Sequence, residues 1–185
     1  MVNQWHNFKI EKILSDEEMQ SLWDLYRKSR HEPIHQFYNL FNLDRYNPKS
    51  EDIRANSGIQ RLDSYAAKRG LKLYSHYFLK YVPYSFSRLH EDNNKIVEKT
   101  IITFLESSDD LIGGDTLVMD RHYELPNEEN TTRKGPNNHR GNIVPVVAPS
   151  QNGNSLVYNH DVLHGVSQVR RGHRIVLVSW YVKNS

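Results

Sequence analysis

The chain changes its hydrophobic period at Gly70, and no other feature limits its possible folds so sharply. Upstream, Ser15 followed by Glu18 reads as a capping box. Met19, Leu22, Trp23 and Tyr26 then recur at helical spacing over about 15 residues. A second helix is predicted from Ile59 to Arg69, with Leu62, Tyr65 and Ala66 inward and Gly70 as its C′ stop. Downstream the apolar runs shorten and eight of them read as strands: Leu71–Val82, Ser87–Asp92, Lys99–Leu105, Asp115–Met119, Ile143–Val147, Ser155–Tyr158, Gly165–Val169 and Arg174–Val182. Two helices followed by eight short strands fit a mainly β fold with flanking N-terminal helices, a double-stranded β-helix (cupin-like jelly roll).

At 185 residues the chain is expected to be a single domain, 1–185. Residues 1–70 would form a helical buttress and 71–185 the jelly-roll core, interrupted by a polar loop insertion, 120–142, with the character of a lid. Mean hydropathy is low, -0.74, yet eleven Tyr, six Phe and three Trp supply the bulk for a packed interior. The absence of cysteine excludes disulfides, thiolate chemistry and cysteine zinc sites. No apolar signal segment opens the sequence and no run approaches a membrane span, so a cytoplasmic protein is expected. A net charge of +2, spread along the chain, indicates neither a nucleic-acid nor a membrane partner.

The chemistry centres on His90 and Asp92. On a strand, His-x-Asp places both side chains on one face, and a distant His can close a triad of two histidines and one carboxylate. Such a triad suits non-haem Fe(II) and leaves adjacent coordination positions open. About 0.6 such tripeptides are expected by chance in a chain of this composition, so the surroundings carry the weight. A surface ion pair is the plain alternative. His164, in Leu163-His164-Gly165-Val166 before the last apolar strand, is the matching distal residue, where a glycine lets backbone or cosubstrate come close. A hydrogen-bonded core histidine is the competing reading. His122-x-Glu124 has the same spacing but sits in the polar insertion, and the glycines around His160 and His164 argue against a helical metal pair. Arg174 opens the last strand, and period two puts it on one face with Val176, Val178 and Trp180. An arginine there needs an anionic partner, and its planar fork matches a carboxylate. That partner could be a ligand or a structural Asp or Glu.

In order along the chain stand Tyr81, His90-Glu91-Asp92, Thr100 to Leu105, Gly113-Gly114-Asp115-Thr116, Pro149, Gly153 with Leu156-Val157-Tyr158, His164-Gly165-Val166, Gly172, Arg174 and Trp180. This ordered set, from about Tyr77 to Tyr181, resembles the Fe(II)/2-oxoglutarate-dependent oxygenases, and within them the prolyl 4-hydroxylase-like branch. The resemblance implies His90, Asp92 and His164 as iron ligands, and Arg174 as the residue gripping the far carboxylate of 2-oxoglutarate. Tyr81 and Thr100 would lie beside that carboxylate. Trp180 would line the substrate pocket, together with Ser87 and Arg88. Ser87 departs from the branch, which usually carries Tyr there.

The resemblance further implies Fe(II), 2-oxoglutarate as cosubstrate and O2. It implies hydroxylation of an unactivated C–H, with succinate and CO2 as coproducts. The substrate expected is a prolyl residue in a peptide, an amino acid or another small molecule. A zinc hydrolase, or an inactive jelly-roll binding module, stands as the alternative.

Overall fold

The computed structural model describes residues 8–92, 96–120, 142–146 and 153–184. Residues 121–141 of the expected insertion, with His122 and Glu124, and Pro149 lie outside the described residues. Ten strands and three helices follow in the order β1 (Phe8–Lys12), α1 (Asp16–Lys28), β2 (Arg30–Phe37), β3 (Leu40–Asn47), α2 (Ser50–Ala55), α3 (Ser57–Ala67), β4 (Leu71–His90), β5 (Lys99–Ser107), β6 (Thr116–Asp120), β7 (Asn142–Val146), β8 (Asn154–Asn159), β9 (His164–Val166) and β10 (Arg174–Lys183). Among the described residues all pairings between strands are antiparallel, in the order β1-β8-β5-β10-β4-β9-β6-β7, with the β2–β3 hairpin added alongside β4. This is the jelly roll expected from the sequence. Among the described residues no helix is long and apolar enough to cross a membrane.

Both anticipated helices form, α1 for the anticipated reason and α3 from Ser57 to Ala67, with its C-cap at Lys68 and not directly before Gly70. Ser15 Oγ accepts from the Glu18 amide and the Glu18 carboxylate accepts from the Ser15 amide, closing the capping box of α1. Asn56 caps α3 through the Ile59 amide, and its Nδ2 donates to the Ser21 carbonyl at 2.7 Å, fastening α3 to α1. At Gly58 the helices are so close that a Cβ would stand 2.6 Å from the Glu18 carbonyl oxygen.

Strand β10 shows how two cores are built on one sheet. Ile175, Leu177 and Tyr181 face α1 and α3, where they pack with Leu22, Ile59 and Leu62. Val176 and Val178 face the barrel interior with Tyr77, Leu79 and Phe104. Each fully buried aliphatic side chain contributes about 1.5–3 kcal/mol. Burial on both faces explains why this run reads as almost continuously apolar.

Two expectations are corrected. Residues 1–70 are not helical alone: β1, β2 and β3 arise there, and so does the short helix α2. In the hairpin β2 is largely exposed and carries Pro33, and β3 is mostly half-buried, so neither shows the buried alternation that marks a strand. The predicted strands Leu71–Val82 and Ser87–Asp92 merge into one strand, β4, of 20 residues that ends at His90, leaving Asp92 just beyond it. Pro83 reads as a break, but the chain turns there with Tyr84 at φ 75° and continues pairing beyond. This bend carries β4 from its partner β10 to its partner β9.

Candidate metal centre

The bend in β4 delivers His90 to the edge of β9, where it pairs directly with His164 in the strand register. Cross-strand partners bring their Cβ atoms to about 4.5–5.5 Å, and the two imidazole centroids lie 4.4 Å apart. Asp92, two residues past His90, enters the same space. Its Oδ1 is 3.9 Å from His90 Nε2 and 3.7 Å from His164 Nε2. Among the described residues these three form the one group of such side chains whose ligand atoms all converge within 4.8 Å.

Backbone carbonyls fix the orientation of both rings. His90 Nδ1 donates to the Arg88 carbonyl at 2.7 Å, and His164 Nδ1 donates to the Val162 carbonyl at 2.9 Å. A carbonyl only accepts, so each Nδ1 carries the proton and each Nε2 presents its lone pair to the shared space when the ring is neutral. Burial pushes the His164 pKa down to about 4, and His90 pushes the same way while Asp92 opposes. At neutral pH His164 is therefore an uncharged donor.

Thr100 corrects an expectation. Its hydroxyl donates to Asp92 Oδ2 at 2.5 Å, so it orients the carboxylate and leaves Oδ1 facing the histidines. It lines no part of the cavity. Gly165 allows a close approach, but by backbone: a Cβ there would stand 2.9 Å from the Ser87 carbonyl oxygen.

These residues border a cavity of about 640 Å³ inside the jelly roll. Arg174 enters it from the first position of β10 and is completely buried. Its Nη1 donates to the Gly114 carbonyl at 2.5 Å and to Thr116 Oγ1 at 2.9 Å. Gly113-Gly114-Asp115-Thr116 is thus the cradle of the arginine, with positive φ at both glycines. Arg174 Nε is buried with no hydrogen-bond partner, and no ion pair satisfies the guanidinium among the described residues. Tyr81, opposite Arg174 in the register, puts its ring 4.8 Å from the guanidinium carbon. Burial raises the Tyr81 pKa to about 12 although Arg174 opposes it, so its phenol keeps its proton.

Trp180 and Ser87 border the cavity. Arg88 does not: it is exposed, with its guanidinium over the Phe41 ring at 4.7 Å. Sequence reasoning missed Tyr158, whose buried ring lies 4.6 Å from that of His164, and Arg45 and Tyr77, which also line the cavity. The alternation of Tyr77 with Leu79 and Tyr81 was available as a signal. Arg45 belongs to the unrecognised hairpin.

No family model matches the chain, and no curated protein matches it. Solved structures do. An oxidoreductase of the 2OG-Fe(II) oxygenase family from Burkholderia pseudomallei is similar with a TM-score of 0.69 and 17% identity, over 97% of this chain and 86% of that one. A Pseudomonas putida prolyl-4-hydroxylase gives a TM-score of 0.61 at 17% identity, over 97% and 94% of the two chains. HygX from Streptomyces hygroscopicus, solved with nickel, 2-oxoglutarate and hygromycin B, gives 0.65 at 15% identity, over 97% and 84%. The fold of this chain is therefore that of a 2OG-Fe(II) oxygenase and of a prolyl-4-hydroxylase.

Proposed function

We propose that this chain is an Fe(II)- and 2-oxoglutarate-dependent dioxygenase that hydroxylates an unactivated C–H in an amino-acid-like substrate, such as a prolyl residue. One observation carries the reading. Two Nε2 atoms and a carboxylate oxygen converge on the wall of the same cavity in which a buried arginine makes no ion pair and has an Nε without a hydrogen-bond partner among the described residues. The fold shared with 2OG-Fe(II) oxygenases supports it.

His90, Asp92 and His164 would hold the metal, a donor set that suits Fe(II). Bound Fe(II) supplies O2 activation coupled to oxidative decarboxylation of 2-oxoglutarate to succinate and CO2, and with it the power to oxidise a C–H bond. The protein supplies the rest. Two neutral imidazoles and one carboxylate leave a residual positive charge that attracts the keto-acid end of the cosubstrate. Arg174 holds the far carboxylate through donors that have no structural anion, and the Tyr81 hydroxyl stands beside it as a neutral donor. Leu79, Val176 and Val166 keep water from the cavity walls. Trp180 offers a flat apolar surface to a saturated ring, and the small Ser87 leaves room beside the metal-binding residues.

The test is 2-oxoglutarate binding by calorimetry to wild type and Arg174→Ala, both loaded anaerobically with Fe(II). Losing a buried charged contact costs about 2–5 kcal/mol when its partner stays buried. The expected result is a Kd raised well over tenfold with the metal still bound. An unchanged Kd would assign the cosubstrate to another residue.

A further inference from the structure

The cavity holds a second arginine to which the proposed chemistry assigns no task. Arg45 lies on β3 opposite Leu79, whereas Arg174 lies on β10 opposite Tyr81. Two strand spacings and two residue steps separate them, about 12 Å between backbones. A 2-oxoglutarate chelated beside His90 and His164 with its far carboxylate on Arg174 has no third anionic group to offer Arg45.

Arg45 has every sign of a cation kept for a ligand. Its Nε is buried and has no hydrogen-bond partner. Glu32 stands directly across the hairpin register, yet that carboxylate accepts from Asn47 Nδ2 at 3.0 Å instead. Among the described residues no Asp or Glu forms an ion pair with Arg45. Its guanidinium carbon rests 4.5 Å from the centroid of the Tyr77 ring, which fixes the plane of the fork. Tyr77 in turn meets Trp180 edge-on at 5.4 Å, and Tyr74 stacks on Trp180 at 6.5 Å. An aromatic wall thus adjoins a free, oriented guanidinium within one cavity.

Resting on the oxygenase reading, we infer that Arg45 determines substrate specificity by receiving a carboxylate of the substrate, whose ring or apolar body lies against Tyr77 and Trp180. A planar bidentate fork fits a carboxylate, and leaving the guanidinium unpaired in a closed, dry complex is costly. An internal prolyl residue without a nearby carboxylate leaves it so. The carboxylate belongs either to a free acid or to a peptide bearing one.

A library of carboxylic acids, each matched with its primary amide and including L-proline and L-phenylalanine, tests this. Proline-containing peptides with free and amidated C-termini form a second arm. Binding is read by thermal shift of the protein, and by perturbation of the visible charge-transfer band of its anaerobic Fe(II)–2-oxoglutarate complex. Acids should bind and their amides should bind at least tenfold more weakly. Arg45→Gln should erase that preference while the 2-oxoglutarate affinity stays as in wild type. Arg45→Lys, which keeps charge and stem without the fork, should retain part of it and serves if the glutamine variant fails to fold. Binding confined to free-carboxylate peptides supports the inference with a peptide as the source. Amides binding as tightly as acids, no acid binding at all, or Arg45→Gln weakening 2-oxoglutarate in place of the acids would overturn it. Absence of the charge-transfer band contradicts the oxygenase reading instead, and the thermal shift still decides the role of Arg45.

Discussion

A carboxylate with two oxygens can serve two masters, and Asp92 does. Oδ2 is taken by the Thr100 hydroxyl, and Oδ1 is left to the two imidazoles. The same division occurs in each histidine, where Nδ1 is tied to backbone and Nε2 is left over. Ligand orientation of this kind typically governs metal affinity by 10–100-fold. Thr100→Val, which keeps shape and deletes the hydroxyl, is therefore expected to raise the Fe(II) Kd by about 10–100-fold. The 2-oxoglutarate Kd at saturating metal should not change. Calorimetric titration of each ligand separates the two effects. A variant with normal metal affinity and weakened 2-oxoglutarate would return Thr100 to the place that the family resemblance gave it.

At the scale of elements, the site depends on how closely β9 can lie on the bent half of β4. Gly165 stands where a Cβ would meet the Ser87 carbonyl oxygen at 2.9 Å and that of Arg88 at 3.1 Å. Gly165→Ala should push β9 outward and separate His164 from His90. Metal affinity should fall at least tenfold with a modest loss of stability. Gly58→Ala offers the contrast. There a Cβ would crowd the Glu18 carbonyl and Leu22 between α1 and α3. Overpacking of this kind costs about 1–3 kcal/mol, and it should lower the thermal midpoint without altering metal affinity. Equal metal affinity in both variants would mean that the β4–β9 contact does not set the site.

The same elements mark how far sequence could be read. Helix α1 and strand β10 were legible because capping residues and burial on defined faces leave local patterns. The β2–β3 hairpin was not, since its residues face water and cavity in no simple alternation. The continuity of β4 was hidden because a proline and a left-handed tyrosine look like a terminus. The three residues of the triad were legible through motif order, although β4 ends at His90 and Asp92 lies just past it, outside any strand; the contact of Thr100 with Asp92 depends on chain segments that no local pattern relates. Arg45 was lost with the hairpin that carries it.

At the scale of the molecule, the two cores divide the labour. The helices pack on the outer face of the sheet through Leu22, Ile59 and Leu62, behind the strands that present Tyr77, Tyr81 and Arg174 to the interior. His76 and Tyr181 add polar ties to Asp63 on α3. The inner face then combines a convergent donor set at one wall with a buried cation at another, a geometry that asks for a metal and a dianion together. Anaerobic titration of Fe(II) with and without 2-oxoglutarate, in wild type and in the His90→Ala/His164→Ala double variant, tests that coupling. One Fe(II) per chain is expected in wild type, bound more tightly when 2-oxoglutarate is present, with no metal retained by the variant. Full metal occupancy in the variant, or Fe(II) and 2-oxoglutarate binding to wild type with no effect on one another, would contradict it.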